Sequence, residues 1–135
     1  TSEPVRLTSG GGVDYFPTWL PDGTQVAFTR TVKDVAEVWV APVRGGVARP
    51  VTVGAQASCA KWDAVAGTLL VAGGWGGEAP VFRRVSPSGR DSPAGPDFDL
   101  ARAGLGGLFD VSRDGQLYTY TEEDRRGDIW LLERP

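Results

Sequence analysis

Pro17-Thr18-Trp19-Leu20-Pro21-Asp22-Gly23-Thr24-Gln25-Val26-Ala27-Phe28-Thr29 sets a turn dipeptide between two short runs, the second rich in β-branched and aromatic residues. Asp-Gly in that setting is a hairpin signal, because glycine adopts positive φ at no steric cost and aspartate caps its own turn. Val26 and Phe28 alternate with Ala27 and Thr29, the period of a strand. Working outward, the arrangement returns. Asp110-Val111-Ser112-Arg113-Asp114-Gly115 leads into Leu117-Tyr118-Thr119-Tyr120. Each of these strands is followed, after a polar stretch, by another: Glu37-Val38-Trp39-Val40 and Asp128-Ile129-Trp130-Leu131. A worn copy lies between them. Lys61-Trp62-Asp63 stands 43 residues after Thr18-Trp19-Leu20, Leu69-Leu70-Val71 replaces Val26-Ala27-Phe28, and Val81-Phe82-Arg83 replaces Val38-Trp39-Val40. Its Asp-Gly is lost, and Ala66-Gly67 is left to make the turn.

Three units spaced by roughly 43 to 49 residues, each of four short strands, carry the signature of propeller blades. The expected fold is therefore all-β, with blades of four antiparallel strands and three blades per chain. Residues 1–135 form a single module, with blades at about 13–52, 57–96 and 105–135. In the first blade, strand a runs around Trp19, b over Val26–Thr29, c over Glu37–Ala41 and d over Ala48–Thr52. Only Asp97-Phe98-Asp99-Leu100-Ala101-Arg102-Ala103 suits a helical turn. Val5-Arg6-Leu7-Thr8 reads as an orphan outer strand, so the segment 4–8 is expected to complete the third blade, which lacks one after Trp130-Leu131-Leu132. The strand phase is d, abcd, abcd, abc.

The first repeat resembles that of TolB-type β-propellers, in which proline, tryptophan, a Ser-Pro-Asp-Gly turn and an apolar strand follow in order. Gly127-Asp128-Ile129-Trp130-Leu131-Leu132 is similar to that family's Asp-Ile-Trp strand, and Arg6-Leu7-Thr8 and Pro50-Val51-Thr52 to its Leu-Thr strand ending. Leu20 departs from the pattern, and the Pro/Gly-rich stretch from Ser86 to Gly107 obscures the last strand of the middle blade. The resemblance implies a six-bladed ring, of which three blades are half. Three blades are too few to close around an axis and leave open edges. The expected assembly is a head-to-tail homodimer in which each N-terminal strand completes the partner's last blade. The alternative is that the missing blades belong to a longer parent protein. The resemblance also implies a bacterial periplasm or cell-envelope setting, with secretion an alternative, and a protein or peptide partner at the mouth of the ring.

Composition narrows the function. Histidine is absent, which excludes His-based triads and His zinc sites within this chain, and the single Cys59 excludes an intrachain disulfide or Cys-cluster metal site. A formal charge of −3 with scattered basic residues argues against a nucleic-acid partner, and no apolar run is long enough to span a membrane. With no methionine anywhere, the sequence is expected to begin inside a longer precursor. No cofactor, metal or catalytic constellation is expected, and the expected function is a non-enzymatic binding or scaffolding module. Two other classes stay open: the propeller portion of a prolyl-oligopeptidase-like hydrolase with its catalytic groups elsewhere, and a lectin-like propeller.

The candidate binding residues are Trp75, Asp14 and Tyr15. Trp75 lies in Gly73-Gly74-Trp75-Gly76-Gly77-Glu78, where four glycines give it nothing local to cover it, at a b–c connection that shares a face with the d–a connections. An aromatic there stacks on a partner, folds back over its own blade or fills an assembly interface. Asp14 and Tyr15 are expected in the loop of the first d–a connection, Ser9-Gly10-Gly11-Gly12-Val13-Asp14-Tyr15, near the axial mouth. Trp19, Trp39, Trp62 and Trp130 repeat in register and are expected in the core. Cys59 is expected to be a buried thiol, and Arg83-Arg84 a solvated strand end.

Overall fold

The computed structural model describes residues 3–93, 108–122 and 128–133. The first sheet holds β1 (Val13–Trp19), β2 (Gln25–Val32), β3 (Val35–Pro42) and β4 (Arg49–Pro50) in sequential order. The second holds β5 (Ala57–Asp63), β6 (Thr68–Gly73), β7 (Val81–Val85) and β8 (Asp91–Pro93). The third holds β9 (Phe109–Val111), β10 (Leu117–Glu122) and β11 (Asp128–Glu133). Every pairing is antiparallel. The middle blade does have an outer strand, as Val85 faces Asp91 and Arg83 faces Pro93. Asp97–Ala103, the expected helical turn, lies outside the described residues.

The a–b turns show why Asp-Gly recurs. Asp22 accepts the Thr24 N–H at 3.0 Å and Asp114 the Gln116 N–H at 3.1 Å, each before a glycine at φ 65° or 67°. The worn repeat keeps the same chemistry spread over five residues. Asp63 Oδ1 accepts the Val65 and Ala66 N–H groups, each at 3.1 Å, and Gly67 supplies the positive φ of 65°. Ser112 tightens the third turn through its hydroxyl, whereas Leu20 at the matching place is buried in the core instead.

Successive side chains of a strand point to opposite faces, so each blade has one face toward the blade before it and one toward the blade after. Ala27, Val38 and Val40 of blade 1 meet Ala60, Leu69, Val71 and Val85 of blade 2 in one buried cluster. Cys59, Leu70, Ala72 and Phe82 on the other face of blade 2 meet Phe109 and Tyr118 of blade 3 in a second. The Phe82 and Phe109 rings cross edge-on at 4.8 Å.

Register corrects one sequence alignment. Val71 faces Arg83 as Phe28 faces Trp39, so Arg83 takes the place of Trp39 and Phe82 that of Val38. The arginine pair is therefore no solvated strand end. Arg83 stacks on Trp75 at 4.6 Å, and Arg84 Nη2 bonds the fully buried Asp63 at 3.1 Å from the opposite face.

The expectation of four core tryptophans is also corrected. Trp62 packs against the first cluster and Trp39 is half-buried, but Trp19 is 60% exposed. Trp19 faces Val26, and Phe28 faces Trp39, on the side of blade 1 turned away from blade 2. In blade 2 the corresponding Trp62, Leu69 and Val71 are covered by blade 1. No blade covers that side of blade 1 in the described chain. The side chain of Trp130 lies outside what is described.

Candidate functional site

The open side of blade 1 and the connection between blades 1 and 2 gather the side chains with chemistry to offer. Val51 and Ala55 enter the first buried cluster, while the carboxylate of Glu37 on β3 secures the strap between them. It accepts the Thr52 hydroxyl and the Gly54 and Ala55 N–H groups, and the Thr52 oxygen accepts the Val38 N–H at 2.9 Å. A hydroxyl can do both, since it has one proton and two lone pairs. Beside this strap the β6–β7 connection folds into a single 3₁₀ turn, Trp75–Gly77, whose Gly76 N–H reaches Gly54 O at 3.2 Å. The b–c connection of blade 2 and the preceding d–a connection thus lie side by side.

Trp75 is folded back over its own molecule. The residue is 8% exposed, and its ring joins the cluster between blades 1 and 2 and carries Arg83 on its face. Four glycines give no local cover, so the ring takes cover from the neighbouring strap. Its remaining exposed edge borders a hollow of ≈150 Å³ lined by Val51, Thr52, Val53 and Gly89. It is not a free stacking platform.

Asp14 stands inside β1 rather than in a loop. Arg30 Nε and Nη2 bond its two oxygens at 2.6 and 2.7 Å, a bidentate pair. Arg30, with Thr8 bonding from the N-terminal segment, holds the Asp14 carboxyl below its ordinary 3.8. The Arg30 guanidinium also lies 5.2 Å from the Phe28 ring centre and 4.9 Å from that of Trp39. Asp14 is thus committed within its blade, although it borders a more apolar hollow of ≈190 Å³ with Leu7, Thr8, Tyr15, Pro17, Val26 and Phe28.

Tyr15 is the one exposed member of the candidate trio. The residue is 47% exposed and its ring lies 5.8 Å from that of Phe16, beside a bulge in β1 between Tyr15 and Thr18 where Phe16 adopts φ 52°. The structure therefore brings Asp14 and Tyr15 to one hollow and places Trp75 in the next seam. Among the described residues no three His, Cys, Asp or Glu side chains gather as metal ligands. Burial pushes the Cys59 thiol up to about 11, so it is not a thiolate nucleophile at neutral pH. No helix of the described residues is long and apolar enough to cross a membrane. The acidic pair Asp97 and Asp99, the Leu105–Gly107 connection and Arg125-Arg126 lie outside the described residues.

Glu37 and Arg30 were not candidates on sequence. Their signals were available: Glu37 stands two residues before a register tryptophan, and Arg30 is a charge continuing the strand Val26-Ala27-Phe28-Thr29.

Sheets that follow one another along the chain, each packed face to face on the next, define this molecule as part of a β-propeller. No known protein-family profile matches the chain, and no curated protein sequence matches it. Solved structures do. TolB from Acinetobacter baumannii superposes with a TM-score of 0.65 at 14% identity, over 94% of this chain and 31% of that one. An apo structure of the AtxE2 isopeptidase gives a TM-score of 0.46 at 20% identity, over 87% of this chain and 26% of that one. The fold is thus TolB-like, and the chain spans under a third of the length of the TolB it matches.

Proposed function

We propose that this chain is a non-enzymatic propeller module that supplies three blades of a six-bladed ring and recognises a protein or peptide at the ring's loop face. The observation that carries the reading is the uncovered outer side of blade 1. Blade 1 turns Trp19 to solvent on a face whose counterpart in blade 2 is covered, with Tyr15 and Phe16 exposed at the β1 bulge beside it. Exposed aromatic area of this kind marks an interface. The missing blades come from a second copy by strand exchange, or from further blades of a longer protein. Tyr15 is the contact residue best placed for a partner; Asp14 shapes the hollow beside it, and Trp75 rigidifies the adjoining seam. By its resemblance, the setting is the bacterial envelope.

Light scattering on a sizing column tests the first half of the proposal. A mass near twice 14.3 kDa supports self-completion. A monomer at every concentration overturns it and moves the search to other blades. For the second half, Tyr15→Ala is expected to weaken capture of peptides from a random display library without moving the melting temperature. Unchanged capture would remove Tyr15 from the contact surface.

A further inference from the structure

A meander of antiparallel strands puts its a–b and c–d turns at one end and its b–c connection at the other. The loop face is the b–c end, and the opposite end is a floor of tight turns joined by direct contacts. Val43 N–H bonds Thr24 O at 2.9 Å, tying the c–d turn of blade 1 to its a–b turn. Arg49 Nη2 donates to Pro87 O at 2.6 Å, tying that c–d turn to the c–d turn of blade 2. Arg84, near the end of β7, bonds Asp63 at the a–b turn of the same blade. Gly115 then brings the a–b turn of blade 3 against it, so close that a Cβ there would lie 2.8 Å from Val65 Cγ2. The floor is thus continuous across all three blades and lies within one chain.

The charges on this floor do not balance. Arg44 and Arg49 flank the c–d turn of blade 1, Arg90 closes that of blade 2, and Arg113 stands in the a–b turn of blade 3, all four exposed. Among the described residues, the side chains of Arg44, Arg90 and Arg113 have no hydrogen-bond or ion-pair partner. The carboxylates of the same turns are already engaged. Asp22 takes the Thr24 N–H and hydroxyl, Asp114 takes the Gln116 N–H and the Ser112 hydroxyl, and Asp63 is buried against Arg84. In a chain of formal charge −3, this end therefore carries four arginines against two exposed aspartates among the described side chains. Apolar residues stand among the arginines. Val47, between Arg44 and Arg49, is 90% exposed, and Val65, against the Arg113 turn, is 60% exposed.

We infer that this floor is a second docking surface, and that it takes an acidic segment of a partner protein with apolar residues among its carboxylates. A guanidinium is a rigid fork matched to a carboxylate, and arginine with apolar neighbours is the composition of a protein interface. A nucleic acid fits less well. Its affinity grows with the number of phosphates neutralised, and four arginines spread over three blades and interleaved with valines neutralise few. The surface lies at the end away from Trp75 and needs no second copy, so it stands whether or not the ring closes.

The test is fluorescence anisotropy of the full chain with a dye-labelled peptide, Glu-Leu-Glu-Gly repeated three times, at about 50 mM salt. Wild type is expected to bind it and to lose affinity several-fold at about 200 mM salt, because exposed charges are screened. An exposed arginine–carboxylate pair is worth a factor of about 1.5 to 5. The triple variant Arg44→Gln, Arg90→Gln, Arg113→Gln is therefore expected to raise Kd about tenfold or more. Its melting temperature stays within about 2 °C of wild type, since these exposed side chains have no described partner to lose. Lys33→Gln, in the β2–β3 turn at the opposite end, leaves Kd unchanged. A wild type that does not bind up to about 1 mM peptide overturns the proposal, as does a triple variant that binds equally well. Equal binding of the peptide with Gln in place of Glu overturns it in favour of apolar contact alone. Tighter binding of single-stranded DNA of matched charge overturns it in favour of a general polyanion patch. A monomer by light scattering, which overturns self-completion of the ring, changes none of these results.

Discussion

Truncating Trp75 to alanine separates a ring that holds a seam from a ring that waits for a partner. The side chain is 8% exposed, so nearly the whole indole leaves the cluster between blades 1 and 2. Removing a buried tryptophan costs about 3–5 kcal/mol. The hollow of ≈150 Å³ along one edge shows that the ring is not contacted on every side, which places the loss in the lower half of that range. Arg83, stacked at 4.6 Å, loses a further contribution of about 0.5–1 kcal/mol. The total is about 4 kcal/mol, and in a chain of this size each kcal/mol moves the melting temperature by about 3–4 °C. Thermal unfolding followed by circular dichroism is therefore expected to fall by about 12–16 °C, with Trp75→Phe recovering more than half of the loss. A fall of less than about 3 °C would refute the reasoning and return Trp75 to the binding surface.

Gly73→Ala places a Cβ 2.2 Å from Ala55 O, backbone against backbone, whereas Gly11 has nothing within 4 Å; the first is expected to lower the melting temperature by more than about 6 °C and Gly11→Ala by less than about 2 °C. Asp14 has its pKa depressed in the folded state by Arg30, so its share of stability is complete above the unfolded value near 3.8 and is lost as pH falls through the folded one. Asp14→Asn should accordingly flatten the acid limb of the stability curve below pH 4, and an unaltered limb in urea titrations would contradict the pairing. Cys59, raised to about 11 and buried, is expected to resist thiol reagents at pH 8 until the chain unfolds; full labelling of the native protein within minutes would contradict that burial.

The blade repeat was legible because its chemistry is local. Asp22-Gly23 and Asp114-Gly115 determine their own turns, and alternation in Val26–Thr29 needs no knowledge of what covers it. What escaped depends on neighbours. Trp19 repeats in register with Trp62, yet one is exposed and the other covered, because only blade 2 has a preceding blade beside it. The slip of one residue at Phe82–Arg83 arose because a side-chain pattern of period two cannot by itself fix which of two adjacent residues faces which seam. Asp63 looked like the end of a worn strand, but its carboxylate rebuilds the missing turn and holds Arg84. The candidate trio was only partly legible for the same reason. Whether an aromatic among glycines is bare or sheltered, as Trp75 is, depends on a strap about twenty residues away in sequence.

The two ends of this molecule are unlike. One presents Trp19, and the other presents Leu131. In the two-copy ring proposed above, unlike ends would join head to tail, each added copy exposing a fresh pair of the same ends. What would stop growth in that ring is the angle turned per blade rather than any capping surface. That angle is set at the seams, where Gly73 admits the strap and Glu37 holds it. A small wedge in a seam would leave the blades folded while turning a closed ring into an open, ever-lengthening filament.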